Sequence, residues 1–154
     1  MKLKRFQLFL IILLVAFTAS CSNESLYRKV AQVNYGTSFG MCVGYCKREV
    51  SIDSVYTSYS CAGWTKEVEP TLYKVQTTKS AWDSVKVLIN NKAFFELPAT
   101  IGCPDCADGG AEWVEVKLLN GTAHKVVFEY YNEPQQLQGS IAKLRQIAGK
   151  NECK

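Results

Sequence analysis

The sequence predicts an α+β domain, an antiparallel sheet of about four to six strands with two helices packed on one face. Three features carry this expectation. Short segments that alternate apolar and polar residues recur between turn signals from Val30 onward. Two longer segments, beginning near Ser80 and Asn132, place their apolar residues at helical spacing instead. The resulting order, strands then helix then hairpin then helix, lacks the strict alternation of strand and helix that builds a parallel sheet.

In order, Val30 to Tyr35 reads as a first strand and Gly36 to Cys46 as a glycine-rich loop. Val50 and Ile52 alternate with Glu49 and Ser51, Asp53-Ser54 supplies a turn, and Val55 to Tyr59 returns with β-branched and aromatic residues, which makes a hairpin. Trp64 and Pro70 stand in a Gly/Pro-punctuated stretch, and Leu72 to Gln76 is a further strand. Ser80, with Asp83 three residues on, has the form of a capping box ahead of Trp82, Val85, Leu88 and Ile89, so a helix is expected that ends before Pro98. Glu112 to Leu118 and Thr122 to Tyr130 form the clearest hairpin. A two-residue Asn120-Gly121 turn would set Glu112 against Glu129 and Val116 against Lys125. A three-residue Leu119-Asn120-Gly121 loop with Gly121 left-handed pairs Glu115 with Lys125 and Val114 with Val126, and that register is the expected one. A last helix from Asn132 carries Leu137, Ile141, Leu144 and Ala148 on one stripe and stops at Gly149.

Upstream of these elements, Lys2, Lys4 and Arg5 precede an apolar run from Phe6 to Phe17 broken only by Gln7, and the small residues Thr18, Ala19 and Ser20 precede Cys21. This is the pattern of an export signal. The run of 12 residues is short of the roughly 20 that a membrane-spanning helix needs. Thr18-Ala19-Ser20-Cys21 resembles the lipobox of bacterial lipoproteins, with Thr18 where that family usually has Leu. The resemblance implies removal of residues 1–20 and lipid attachment at Cys21, with residues 21–28 a short tether and residues 29–154 one globular domain. Ser22 after the cysteine, where Asp would signal retention, implies the outer membrane by the sorting pattern of Gram-negative lipoproteins. Two or three acyl chains anchor durably, since each buried CH₂ contributes about 0.8 kcal/mol.

The formal charge of +4 belongs mostly to the signal: three of the 18 basic residues leave with it, so 15 face 14 acidic ones. With no basic run, nucleic acid is not an expected partner. The expected partners are the membrane, through Cys21, and an envelope protein or cell-wall component.

Six cysteines remain: Cys42, Cys46, Cys61, Cys103, Cys106 and Cys153. An even number in an oxidising compartment implies disulfides, with about 15 pairings formally open. Short loops favour Cys42–Cys46 and Cys103–Cys106, which leaves Cys61 for Cys153. Two other uses of these residues stay open. Cys42, Cys46, Cys103 and Cys106 have the composition of a four-thiolate metal site, at a spacing far longer than a zinc ribbon's. Cys103-Pro104-Asp105-Cys106 has the C-x-x-C form of a thiol-disulfide exchanger, but a strand follows it where a helix N-terminus would be needed, and Asp105 and Asp108 oppose a thiolate. Asp105, Asp108 and Glu112 read as a solvated acidic loop rather than a calcium site, because their spacing matches no EF-hand. The single histidine, His124, falls on the face of Val114, Val116 and Val126 and reads as a core-edge residue rather than a base. No catalytic residue, metal or cofactor is expected.

From Phe39 the chain reads Phe-Gly-Met-Cys-Val-Gly-Tyr-Cys, with a helix ending in Phe94-Phe95 and Asp108 ahead of the later hairpin. Over roughly Val30 to Gly149 this resembles an uncharacterised family of bacterial envelope domains marked by C-x-G-x-C, matched here by Cys42, Gly44 and Cys46. Lys47 stands where that family has Pro, and Asp53-Ser54 lacks its usual Gly. The resemblance implies the architecture and no activity. The functional expectation is therefore a non-catalytic, disulfide-stabilised envelope lipoprotein.

Overall fold

The computed structural model describes residues 29–89, 92–150 and 153; the expected export signal, Cys21 and the expected tether lie outside the described residues. Seven strands form one sheet: β1 Val30–Ser38, β2 Lys47–Asp53, β3 Tyr56–Ala62, β4 Thr71–Gln76, β5 Thr100–Ile101, β6 Ala111–Leu118 and β7 Ala123–Glu129. Their order is β4-β3-β2-β1-β6-β7-β5. Among the described residues three α-helices accompany them, α1 Lys79–Ile89, α2 Lys92–Phe95 and α3 Gln138–Ala148. The class is α+β, as expected, but the sheet is larger than four to six strands and is mixed, because β5 lies parallel to β7. Two residues are too few to show a period, and Ala99 and β5 find their place only by tertiary pairing, as when the Val127 amide donates to the Ala99 carbonyl at 2.9 Å.

The local readings are refined by what each segment buries. β1 runs three residues past Tyr35 because both its edges are occupied, by β2 and by β6. The 118–122 turn has the three-residue form, with Gly121 at φ 85° and Glu115 opposite Lys125. Thr78, not Ser80, starts α1: its hydroxyl accepts the Ala81 amide at 3.2 Å, while Asp83 pairs with Lys79 and Lys86. α3 begins at Gln138, six residues after Asn132, behind a single 3₁₀ turn at Gln135–Leu137, because Pro134 has an extended ψ of 141° and helical backbone starts only after it. Gly149 ends it, its amide donating to the Arg145 carbonyl.

The register puts Val33 and Tyr35, Val50 and Ile52, Tyr59, Val114 and Val116, and Val126 and Phe128 on one face of the sheet. These residues form one buried cluster with Trp82, Val85 and Ile89 of α1, Phe94 of α2, Leu137, and Ile141, Leu144 and Ile147 of α3. The Leu88 side chain of the predicted stripe lies outside the described part. Fully buried side chains such as Phe94 and Phe128 each contribute about 1.5–3 kcal/mol over exposure. The other face is mostly polar but carries the exposed Leu72 and Tyr56 and, opposite Val127, Trp113, which lies over Gly36 with Lys47 and Lys125 within 5.7 and 4.7 Å of its ring centroid. Among the described residues no helix is long and apolar enough to cross a membrane.

Candidate functional site: a tyrosine-lined cleft at the cystine end of the sheet

The cysteine sulfurs stand at disulfide distance in three pairs, Cys42–Cys46, Cys61–Cys153 and Cys103–Cys106, with Cα separations of 5.5, 5.9 and 5.4 Å. The sheet register shows what sequence spacing does not: all three lie at one end. Ser38 is opposite both Lys47 and Ala111, Lys47 is opposite Ala62, and Ala111 is opposite Glu129. The β1–β2 loop, the end of β3 and the loop before β6 therefore leave the sheet together. The chain enters β1 at the far end, where Val30 is opposite Leu118. Nine strand residues separate the two ends by about 30 Å.

The loops at the cystine end are tied to one another. The Asp105 carboxylate accepts the Gly40 amide at 3.1 Å, the Asp105 amide donates to Gly110, and the Cys103 amide donates to the Glu129 carboxylate at 2.9 Å. That hydrogen bond and one from Asn132 hold the Glu129 carboxyl below its usual pKa. Asp105, Ala107 and Asp108 take left-handed φ of 62°, 50° and 59° around the Cys103–Cys106 pair. Met41, Val43 and Trp64 are exposed at the rim, and the Trp64 indole is pinned by donation to the Phe39 carbonyl at 2.7 Å.

Glu112 does not belong to the acidic loop that Asp105 and Asp108 occupy. It sits in β6 at the same parity as Val114 and Val116, fully buried, and its partners explain how a charge survives there. Arg145 of α3 grips it with Nε on Oε1 at 2.8 Å and Nη2 on Oε2 at 2.6 Å, the Tyr35 hydroxyl donates to Oε1, and the Tyr131 amide donates to Oε2 at 3.2 Å. The same guanidinium holds Glu133 at 3.1 and 2.6 Å and lies 4.2 Å from the Tyr131 ring centroid. Burial opposes the Arg145 charge, but the two carboxylates outweigh it and raise its pKa further. Burial, and next the Glu112 carboxylate, push the Tyr35 hydroxyl up. The hydrogen bonds from Arg145 hold Glu133 below the usual carboxylate range. This network fastens α3 to the sheet at the cystine end.

Beside it opens a cleft of about 200 Å³ between the last rungs of the sheet and the end of α3, floored by Tyr35, Val50 and Tyr59 and rimmed by Thr37, Arg48, Tyr130 and Tyr131. The rungs are legible in the pairing: Arg48 lies between Cys61 and Thr37, and Val50 between Tyr59 and Tyr35. Arg145 has its donors engaged by Glu112 and Glu133. Arg48 is exposed and, like Thr37 and the Tyr59 hydroxyl, has no side-chain hydrogen-bond partner among the described residues. Burial, then the neighbouring Tyr73, raises the Tyr59 pKa. The arrangement can bind and orient a small group; the one lining hydroxyl hydrogen-bonded to a carboxylate among the described residues is that of Tyr35, whose partner Glu112 is also held by Arg145.

His124 is at the other end, opposite Val116 and edge-on to Phe94 with centroids 5.2 Å apart. Its Nε2 is buried without a partner among the described residues. Four residues of strand, about 13 Å, part its rung from that of Glu112. Cys42, Cys46, Cys103 and Cys106 are taken up two by two, and among the described residues no group of three or more His, Cys, Asp or Glu is placed to hold a metal ion. Thr37, Arg48, Tyr59, Tyr130, Tyr131 and Arg145 were not candidates from sequence. The one visible signal was Glu112, a carboxylate at core parity in an otherwise apolar strand face. No protein-family model and no curated protein matches the chain.

Proposed function

We propose that this protein is a non-catalytic lipoprotein of the bacterial envelope, anchored through Cys21, outer-membrane by its Ser22, whose α+β domain binds an envelope component at its cystine end. The observation that carries the reading is the coincidence, at the end of the sheet opposite the chain's point of entry into β1, of three cysteine pairs, a polar tyrosine cleft and the exposed Met41, Val43 and Trp64. A rigid surface loses little entropy on binding, and short cystine loops supply that rigidity. A tether attached at the other end would leave this surface free to face away from the lipid. The finer architecture, both long helices on one sheet face, agrees with their shared buried cluster, and the C-x-G-x-C resemblance agrees with the same outline.

Thiol-disulfide exchange by Cys103 and Cys106 is less well supported: both are exposed, but Asp105 and Asp108 flank them and only a single helical turn follows. A four-thiolate metal site would require breaking both local pairs. The test is the intact mass of protein exported by its native route. The expected species starts at a diacylglycerol-bearing Cys21, has three bridges and no free thiol, and carries no metal. An unprocessed or unlipidated N-terminus refutes the anchor. A mixed disulfide trapped by Cys106→Ser, or zinc at one equivalent, refutes the binding module in favour of thiol or metal chemistry.

A further inference from the structure

We infer that the cleft receives an anionic, oxygen-rich end group, a carboxylate or a phosphate, held by the Arg48 guanidinium with the hydroxyls of Thr37 and Tyr59. The inference rests on the reading that the cystine end is the binding surface, and it names the chemistry bound there. The argument is an accounting of donors. A guanidinium has five N–H donors and no acceptor, and Arg48 is exposed, so a ligand that displaces water from it must supply acceptor atoms. Nothing in the described residues does. Arg145 differs only in its surroundings: its fork is closed on Glu112 and Glu133, and it is 20% exposed at the side chain.

Position allows three groups to share one ligand. Thr37 is directly opposite Arg48 across β1–β2, and Tyr59 is one rung inward on β3, on the same sheet face. All three line the same cleft. Glu49 also lines it, but it alternates to the opposite face along β2 and its carboxylate stands 3.9 Å from Lys47. A planar fork that meets two oxygens at once favours carboxylate and phosphate over a neutral acceptor. Tyr131, 67% exposed and set at φ 58°, has the Arg145 guanidinium 4.2 Å from its ring centroid and offers the remaining ring surface beside the site for an apolar or sugar portion of the same ligand.

Three features oppose an anion: the Glu49 carboxylate lines the cleft, Glu112 stands opposite Thr37 with its charge held by Arg145, and a helix C-terminus borders the site. The cleft is bounded by Ala148 and Gly149, the carbonyl end of an 11-residue helix. Its partial negative charge weakens anion binding by roughly two- to fivefold. A hydrogen-bonded guanidinium strengthens it by roughly tenfold or more, so the net preference is for the anion. The Gly149 amide also caps the Arg145 carbonyl, and the Lys150 amide that of Ile147, which removes two acceptors from that boundary.

The test uses three shape-matched probes, benzoate, phenyl phosphate and benzamide, titrated by NMR into the full lipidated chain in detergent. Benzoate or phenyl phosphate is expected to bind at millimolar concentration and benzamide at least tenfold more weakly. The stronger of the two anions identifies the source, a carboxylate end group or a phosphate. Arg48→Gln is expected to lose at least tenfold for the anion with no change for benzamide, Arg48→Lys to lose less, and Thr37→Val to lose a few fold. Arg48 is exposed and outside the core, so an unchanged melting curve is the check on folding. Equal binding of benzamide and the anions, with sensitivity to Tyr131→Ala, overturns the anionic assignment while the binding end stands. Anion binding untouched by Arg48→Gln, or no binding of any probe, overturns the inference outright.

Discussion

Replacing Arg145 with methionine removes two hydrogen bonds from a carboxylate that has no access to water. Glu112 is 0% exposed at its side chain, and Arg145 supplies the 2.8 and 2.6 Å contacts that compensate its charge. After the substitution only the Tyr35 hydroxyl and the Tyr131 amide remain. Breaking a buried pair by deleting one partner costs about 3–5 kcal/mol, because the survivor is left as an uncompensated charge. Glu133 adds little to this, since its side chain is 15% exposed and can turn to solvent. In a domain of this size each kcal/mol moves the melting midpoint by about 3–5 °C, so Arg145→Met is expected to melt roughly 10–20 °C lower. The assay is urea and thermal unfolding with disulfides intact, repeated on Glu112→Gln and on the double variant. The double variant should recover at least half of the loss, because the buried charge is gone along with its partner. A loss under about 1 kcal/mol for Arg145→Met, or a double variant no more stable than the single, would refute the claim that the pair's value lies in compensating a buried carboxylate.

Three further outcomes follow from the same geometry. Gly36→Ala places a Cβ 2.2 Å from Trp113 Cζ2 and 2.8 Å from the Arg48 carbonyl, so it should lower the denaturant midpoint by about 1–3 kcal/mol equivalent, with Trp113 fluorescence reporting the displaced ring. Cys61→Ser with Cys153→Ser opens a 92-residue loop and should lose about 4–5 kcal/mol by the chain-entropy model, against about 2 for Cys42 with Cys46; calorimetry that ranks them the other way would contradict it. Because its folded pKa is lowered, Glu133 contributes stability that is complete above its unfolded pKa of about 4.3 and is lost as pH falls through the folded value, so Glu133→Gln should flatten the acid limb of a stability–pH curve measured below pH 5 and leave pH 7 slope unchanged.

Much of the local structure was legible because it depends on neighbours in sequence. The 118–122 turn follows from Gly121 and from charge pairing between Glu115 and Lys125, and the helices follow from stripes such as Val85-Ile89 and Ile141-Leu144. Where local signals failed, a more distant partner decided. Thr78 displaced Ser80 as the cap, and Thr100–Ile101 became a strand only because β7 had a free edge. The candidate loop acids illustrate the limit: Asp105 stayed in the loop and binds a backbone amide, while Glu112, six residues past Cys106, turned inward to Arg145.

By itself, then, the chain's local pattern determined its class, the order of its main elements, the hairpin register and the number of cysteines available for bridging. Only the tertiary structure decided that β1 is central, that the three cysteine pairs share one end, and that Thr37, Arg48, Tyr59, Tyr131 and Arg145 meet around a cleft. The physical reason is the range of the forces. Turn geometry and amphipathic periodicity act over a few residues, whereas a cleft is made where strands 20 to 100 residues apart come into register, and that register is set by burying one face of the sheet against the helices.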